Sequence, residues 1–227
     1  KLLRFVAMLC WLGLNLFDGS AVVAAPAVPT AATKTVAVNA AAPVIGSETA
    51  ILMVAGTKQI LYEKDSHKIM YPASTTKMMT LITAIKRAKL DETVVVAPAA
   101  VGIEGSSLEL RMPDRLSLRE LLFGLMLASG NDAAHAVAEH VGRGSYKQFI
   151  AWMNEDAEKI GALRTHFSNP HGLPDPVNHF TTAYDLAMIA DAGFKIDGFE
   201  QFVAKPYHTV LFQNRSKGIS LVNTNTL

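Results

Sequence analysis

The chain has 227 residues and a formal net charge of +1, with half of its residues hydrophobic and 18% charged. That balance excludes intrinsic disorder, and the near-neutral charge removes the electrostatic case for nucleic acid as a partner. A single cysteine rules out a disulfide framework and a cysteine-based zinc site, and the length suits one large domain or one domain with two lobes.

In chain order, residues 1–24 read as a secretory signal. Lys1 and Arg4 form a basic start, residues 5–17 an apolar run, and residues 21–25 offer small side chains for cleavage after Ala24 or Ala25. The run is shorter than the ~20 apolar residues of a membrane-spanning helix, which disfavours an uncleaved anchor. Cys10 sits inside it and follows Leu9, a poor context for lipid attachment. Cleavage would remove the only thiol, and with it thiol catalysis. The remainder would carry equal numbers of acidic and basic residues. Residues 25–46, with Pro26, Pro29 and Pro43 among Ala, Val and Thr, read as an extended linker. The folded domain is then expected over 47–227.

Residues 51–63 read as a hairpin, with a buried-type strand at 51–54 and a turn at Gly56. Pro72 precedes a helix expected over 74–88. Met78, Met79, Leu81, Ile82 and Ile85 make that helix apolar nearly all round, so it should be buried. A short strand is expected at 94–97. Ser117 and Glu120 fit a capping box before an apolar helix at 121–127. Gly130 interrupts that helix, and helical pattern resumes at 133–141. Ser145 with Gln148 opens a further helix with Phe149, Ile150, Met153, Ala157 and Ile160 on one face. Thr182 with Asp185 opens another, to about 192, and 207–212 alternates weakly like a strand. The order implies an α+β fold, with a helical lobe inserted in a sheet-plus-helix lobe. The sheet looks incomplete, because two or three strands cannot cover so apolar a helix as that at 74–88.

Two short patterns carry chemistry. Ser74-Thr75-Thr76-Lys77 puts a hydroxyl and an amine three residues apart, on one face of a helix. A serine needs a base to become a nucleophile, and a lysine can serve if burial lowers its pKa. Alone, so short a pattern more often means an N-cap serine followed by a surface lysine. Ser129-Gly130-Asn131 could project a proton relay and an amide from a break between helices, or be a polar loop.

Together, and with their contexts, they say more. Tyr71-Pro-Ala-Ser-Thr-Thr-Lys-Met-Met-Thr80, Leu127-Ala-Ser-Gly-Asn-Asp-Ala-Ala134, Asn169-Pro-His-Gly-Leu173 and Asn223-Thr-Asn225 resemble the motifs of the low-molecular-mass penicillin-binding proteins, the serine D-alanyl-D-alanine carboxypeptidases. The likeness runs from about residue 51 to the end. It implies a β-lactamase/transpeptidase-like fold and no cofactor. It implies a peptidase of peptidoglycan stem peptides that β-lactam antibiotics acylate, on the periplasmic or other extracytoplasmic cell-wall face of a bacterium. By the same resemblance Ser74 is the acylated nucleophile, Lys77 its base, Ser129 a proton relay and Asn131 the contact to the substrate amide. The Ser74 N–H would form half of an oxyanion hole.

The family's third motif, Lys-Thr-Gly, is absent from these 227 residues; Lys217-Gly218 lacks the Thr and precedes Asn223. The expectation is a chain cut before that motif, which would supply the second oxyanion donor and the substrate-carboxylate contacts. Acylation by these residues alone should then be poor, and any membrane association would lie in residues beyond them. The competing readings are a D,D-endopeptidase with the same machinery and a non-catalytic wall-binding fragment. A β-lactamase would need a deacylating Glu, for which Glu104, Glu109 and Glu120 are candidates. Glu120 is assigned to its capping box, and the second motif is Ser-Gly-Asn where class A lactamases carry Ser-Asp-Asn. His166, His171 and His179 have spacings that match no helical ligand pair, so no metal site is expected.

Overall fold

The computed structural model describes residues 44–224. The signal, most of the linker, and Asn225 lie outside the described residues. The architecture is α+β. Strands β1 (Ala50–Met53) and β2 (Ile60–Lys64) form the first hairpin, antiparallel, with Ala50 opposite Lys64 and a register shift between Leu52 and Met53. A 3-10 turn (Ala73–Thr76) then runs into helix α1 (Lys77–Arg87). The expected helix therefore divides in two. The reason is local: Pro72 and Ala73 set the chain in a tight turn, with Ala73 at φ 47, and the Pro72 carbonyl accepts from both the Thr75 N–H and the Thr75 hydroxyl. The wider i→i+4 ladder starts only at Lys77.

Strand β3 (Thr93–Val95) pairs with β4 (Arg115–Ser117), a strand too short to be read from the sequence. Helices α2 (Leu118–Leu127) and α3 (Asn131–Val141) follow, then α4 (Tyr146–Ile160), α5 (Ala183–Gly193) and the short α6 (Glu200–Val203). Strand β5 (Tyr207–Val210) pairs with β6 (Ile219–Val222), and both α6 and β6 escaped the sequence reading. Ser117, Ser145 and Thr182 cap α2, α4 and α5 as expected, each accepting the backbone N–H three residues on. The capping box at Ser117 is only half made. The Glu120 carboxylate accepts instead from His208 Nε2 at 3.0 Å and the Leu211 N–H at 2.8 Å, and so ties β5 to α2.

Helix α1 is the centre of the core. Met79, Leu81, Ile82 and Ala84 are wholly buried, each large one contributing about 1.5–3 kcal/mol. What covers them corrects the expectation from the sequence. Helices α2, α3, α4 and α5 pack around α1, so its burial does not wait on a broad sheet. The strands are another matter. Among the described residues the sheets have two strands each, and Leu52 and Leu61 of the first hairpin are 56% and 57% exposed rather than buried. Free strand edges with exposed leucines attract other apolar surfaces. The 227-residue chain is expected to bind an environment-sensitive hydrophobic dye, and Leu52→Lys with Leu61→Lys should weaken the signal. A dye-negative chain would contradict this.

Candidate active site

The turn at residues 73–76 leaves Ser74 exposed at the surface while Lys77, three residues on, is only 2% exposed. Their side chains meet, with Lys77 Nζ 3.1 Å from Ser74 Oγ. The ammonium has three donors, and all are used. The second goes to Asn131 Oδ1 at 2.7 Å and the third to the His171 carbonyl at 2.9 Å. Burial pulls the Lys77 pKa down to about 8, against the opposing charge of Asp132. About a tenth of the amine is then free base at pH 7, roughly 300-fold more than for an unperturbed lysine. In that form Asn131 and His171 can retain the two remaining N–H groups. The lone pair is then left facing the Ser74 hydroxyl.

Asn131 reaches Lys77 because the chain breaks between α2 and α3. Ser129 takes a left-handed conformation at φ 53, Gly130 is extended, and Asn131 opens α3. Asn131 is 5% exposed, and its Nδ2 donates to the Glu104 carbonyl at 2.6 Å. Its amide oxygen thus faces Lys77. The Ser129 hydroxyl, half-buried at the break, makes no hydrogen bond to Lys77 or Ser74 among the described residues. The structure brings Ser74, Lys77 and Asn131 into one network and leaves Ser129 beside it. The Ser74 N–H has no partner among the described residues and is available to an oxyanion.

The segment 169–173 closes the other side. Asn169 Oδ1 accepts from the N–H groups of His171 and Gly172, and its Nδ2 donates to the Leu173 carbonyl. The loop so formed is clamped to α1, the Thr80 hydroxyl donating to the Pro170 carbonyl at 2.6 Å and Lys77 to that of His171. Gly172 stands against Ala73 at φ +92. A Cβ there would lie 1.9 Å from the Ala73 carbonyl oxygen, so only glycine fits. Burial, then the Lys77 charge, lowers the His171 pKa to about 4. The ring is neutral, and since Nδ1 accepts from the Leu173 N–H its proton lies on Nε2.

His179 is likewise neutral, its pKa lowered by burial to about 4. Its Nδ1 accepts from the Ser168 N–H, and its Nε2–H donates at 2.8 Å to the buried Thr76 hydroxyl, inside the turn that carries Ser74. His166 Nδ1 bonds the Asn178 carbonyl. The three histidines thus have separate structural partners, and among the described residues no three His, Cys, Asp or Glu side chains converge as a metal site.

Sequence reasoning missed Asp132, 1% exposed, whose carboxylate accepts from Ser107 Oγ and the N–H groups of Leu108, Leu110 and Ala133. The signal was present: an acid directly before Ala133 and Ala134, on a helix otherwise reading as buried. The Thr76–His179 contact had no local signal, because its partners are 103 residues apart.

Sites of this build transfer acyl groups through the serine, a lysine standing where other enzymes use histidine. The α+β scaffold with the Ser74–Lys77 pair has that build. Comparison with known proteins gives the family. The chain belongs to the D-alanyl-D-alanine carboxypeptidase family, whose model matches residues 36–227. It is 34% identical over 186 residues to D-alanyl-D-alanine carboxypeptidase DacF of Bacillus subtilis (strain 168), covering 80% of this chain and 47% of that protein. It is 29% identical over 216 residues to the D-alanyl-D-alanine endopeptidase of Escherichia coli (strain K12), covering 94% of this chain and 69% of that protein. The crystal structure of a D-alanyl-D-alanine carboxypeptidase from Mycobacterium tuberculosis H37Rv matches with a TM-score of 0.77 at 31% identity, over 83% of this chain and 70% of that one. The chain spans about half the length of the Bacillus relative.

Proposed function

We propose that the protein is a serine D-alanyl-D-alanine carboxypeptidase that removes the terminal D-Ala from peptidoglycan stem peptides through an acyl-enzyme on Ser74. The carrying observation is the 3.1 Å contact between Ser74 Oγ and a lysine amine whose pKa burial lowers to about 8. In the forward step Lys77 Nζ takes the Ser74 proton while Oγ bonds to the carbonyl carbon of the penultimate D-Ala. The Ser74 N–H stabilises the oxyanion. The C–N bond then breaks, and the departing amine of the terminal D-Ala receives a proton from Lys77 by way of Ser129. Water, deprotonated by Lys77, hydrolyses the ester. The unengaged Ser129 hydroxyl suits the relay, since it can turn toward an arriving substrate. Similarity to the E. coli endopeptidase supports a second reading, cleavage of peptide crosslinks by the same steps. Analysis of the products from a pentapeptide and a crosslinked dimer separates the two.

β-Lactams are acyl donors that mimic D-Ala-D-Ala, so penicillin is the probe. Mass spectrometry with peptide mapping of the penicillin-treated full gene product should place one adduct on Ser74. No adduct, or an adduct elsewhere, overturns the reading.

The proposed location is the extracytoplasmic cell-wall face, on the strength of Lys1, Arg4 and the apolar run of residues 5–17. Among the described residues no helix is long and apolar enough to cross a membrane. Expressed with an initiator Met, the protein should be recovered outside the cytoplasm without Cys10. A full-mass cytosolic product with an alkylatable thiol contradicts export.

A further inference from the structure

We infer that Asp132 is a positioning residue of this site, its buried carboxylate pinning residues 104–110 against the start of α3 and acting as the counter-charge of the Lys77 ammonium. The inference rests on the reading of Lys77 as the base. Its geometric half is a continuous chain of contacts. Ser107 Oγ donates to Asp132 at 2.7 Å, the Leu108 N–H at 2.8 Å and the Leu110 N–H at 3.0 Å. Those donors belong to the segment whose Glu104 carbonyl holds Asn131 Nδ2. Asn131 in turn holds Lys77. The segment lies so close that a Cβ on Gly105, at φ +91, would stand 2.7 Å from Asn131 Nδ2. Loss of the Asp132 bonds would release the Glu104 carbonyl, then the amide, then the amine that must face Ser74.

The electrostatic half follows from burial. The Asp132 carboxylate is 1% exposed and so lies out of reach of screening salt. The titratable groups around Lys77 are few. Residues 169–173 present His171, neutral. His135 on α3 and His179 lie beyond it, each with its pKa lowered by burial and so neutral near pH 7. The side chains of Glu104 and Glu109 are exposed. Asp132 is the carboxylate whose field opposes desolvation at Lys77 and keeps the amine from losing its proton still earlier.

The test is a nuclear magnetic resonance titration of the Lys77 side chain in the full gene product, wild type against Asp132→Asn, beside the pH profile of penicillin acylation. Removing the counter-charge should lower the Lys77 midpoint by about one pH unit, move the acid limb of the profile down equally, and reduce the plateau rate as Asn131 loosens. Ser107→Ala, which removes a bond but no charge, should leave the midpoint in place. A plateau loss with an unmoved Lys77 midpoint would reduce Asp132 to packing and overturn the inference. Should Asp132→Asn fail to fold, Ser107→Ala still decides: losing one of the bonds to Asp132 should slow penicillin acylation at an unmoved Lys77 midpoint, and an unchanged rate overturns the inference. Absence of a Ser74 adduct in the wild type counts against the carboxypeptidase reading instead, because the Lys77 titration does not depend on acylation.

Discussion

Ser74→Ala should abolish the covalent penicillin adduct, and Lys77→Ala should lower the acylation rate of the full gene product by about 10²–10⁴-fold, the usual worth of general acid–base assistance. An unassisted alcohol is a weak nucleophile, and among the described residues the amine that hydrogen-bonds Ser74 Oγ is Lys77 Nζ. Lys77→Arg is the sharper variant. It keeps the positive charge but not the base, because a guanidinium does not give up its proton near neutrality. It should be as inert as Lys77→Ala, and rapid acylation by Lys77→Arg would show that charge and not basicity matters. The sign of the pH dependence is set by the free base being the active form. The wild-type rate should climb with pH and level off above about 8, where Lys77 is deprotonated. Asn131→Ala removes one of the two anchors that orient the amine and should slow acylation, though less than loss of the base. Ser129→Ala should also slow it by less, as it removes a relay and leaves the Ser74–Lys77 contact intact. Stopped-flow measurement with a chromogenic cephalosporin resolves all of these rates.

Asp156→Ala is the substitution expected to cost most in stability. The carboxylate on α4 is wholly buried and receives Lys86 at 2.5 Å, Arg87 at 2.5 Å and the Thr83 hydroxyl at 3.3 Å, all from α1. Arg87 also lies over the Trp152 ring, 5.1 Å from its centre. Removing one partner of a buried ion pair costs about 3–5 kcal/mol. Here Lys86 and Arg87 can turn back to water, being 39% and 18% exposed, which argues for the lower end. The buried Thr83 hydroxyl is left without its acceptor. For a domain of this size the fall in Tm should be about 6–12 °C, read by calorimetry. Burial pushes the Asp156 carboxyl up, but the hydrogen bonds and charges of Arg87 and Lys86 outweigh it and hold the pKa below the usual carboxylate range. A depressed folded pKa gives stability that is complete above the unfolded value and is lost as pH falls through the folded one. The gap between wild type and Asp156→Asn should therefore be flat near neutrality and close only below about pH 4. A gap that closes between pH 5 and 7 would contradict this account.

How much of this was legible beforehand depends on whether the governing interaction was local. The N-caps at Ser117, Ser145 and Thr182 were, since a hydroxyl and an N–H three residues apart are close in any helix start. So was the pairing of Ser74 with Lys77, which a turn of either helical type brings onto one side. The Glu120 carboxylate was not: the same residue type at the same spacing prefers its own N-cap or a remote partner according to what packs above it, here His208 and Leu211. The exposure of the first hairpin was misread for a similar reason, as an apolar strand has no burial until another element covers it.

By itself the sequence determined the helical framework, the break at Gly130, and the two motifs that name the chemistry. Each depends on residues within a few positions of one another, where geometry is set by the backbone alone. Only the tertiary structure decided what those motifs can do. Burial of Lys77 and its lowered pKa come from the packing of α1 beneath α3 and residues 169–173. The three acceptors that use up its protons come from residues 74, 131 and 171, up to 94 positions from Lys77. Hydrogen bonds act over 3 Å and desolvation over the depth of a core, and neither distance is written in sequence separation.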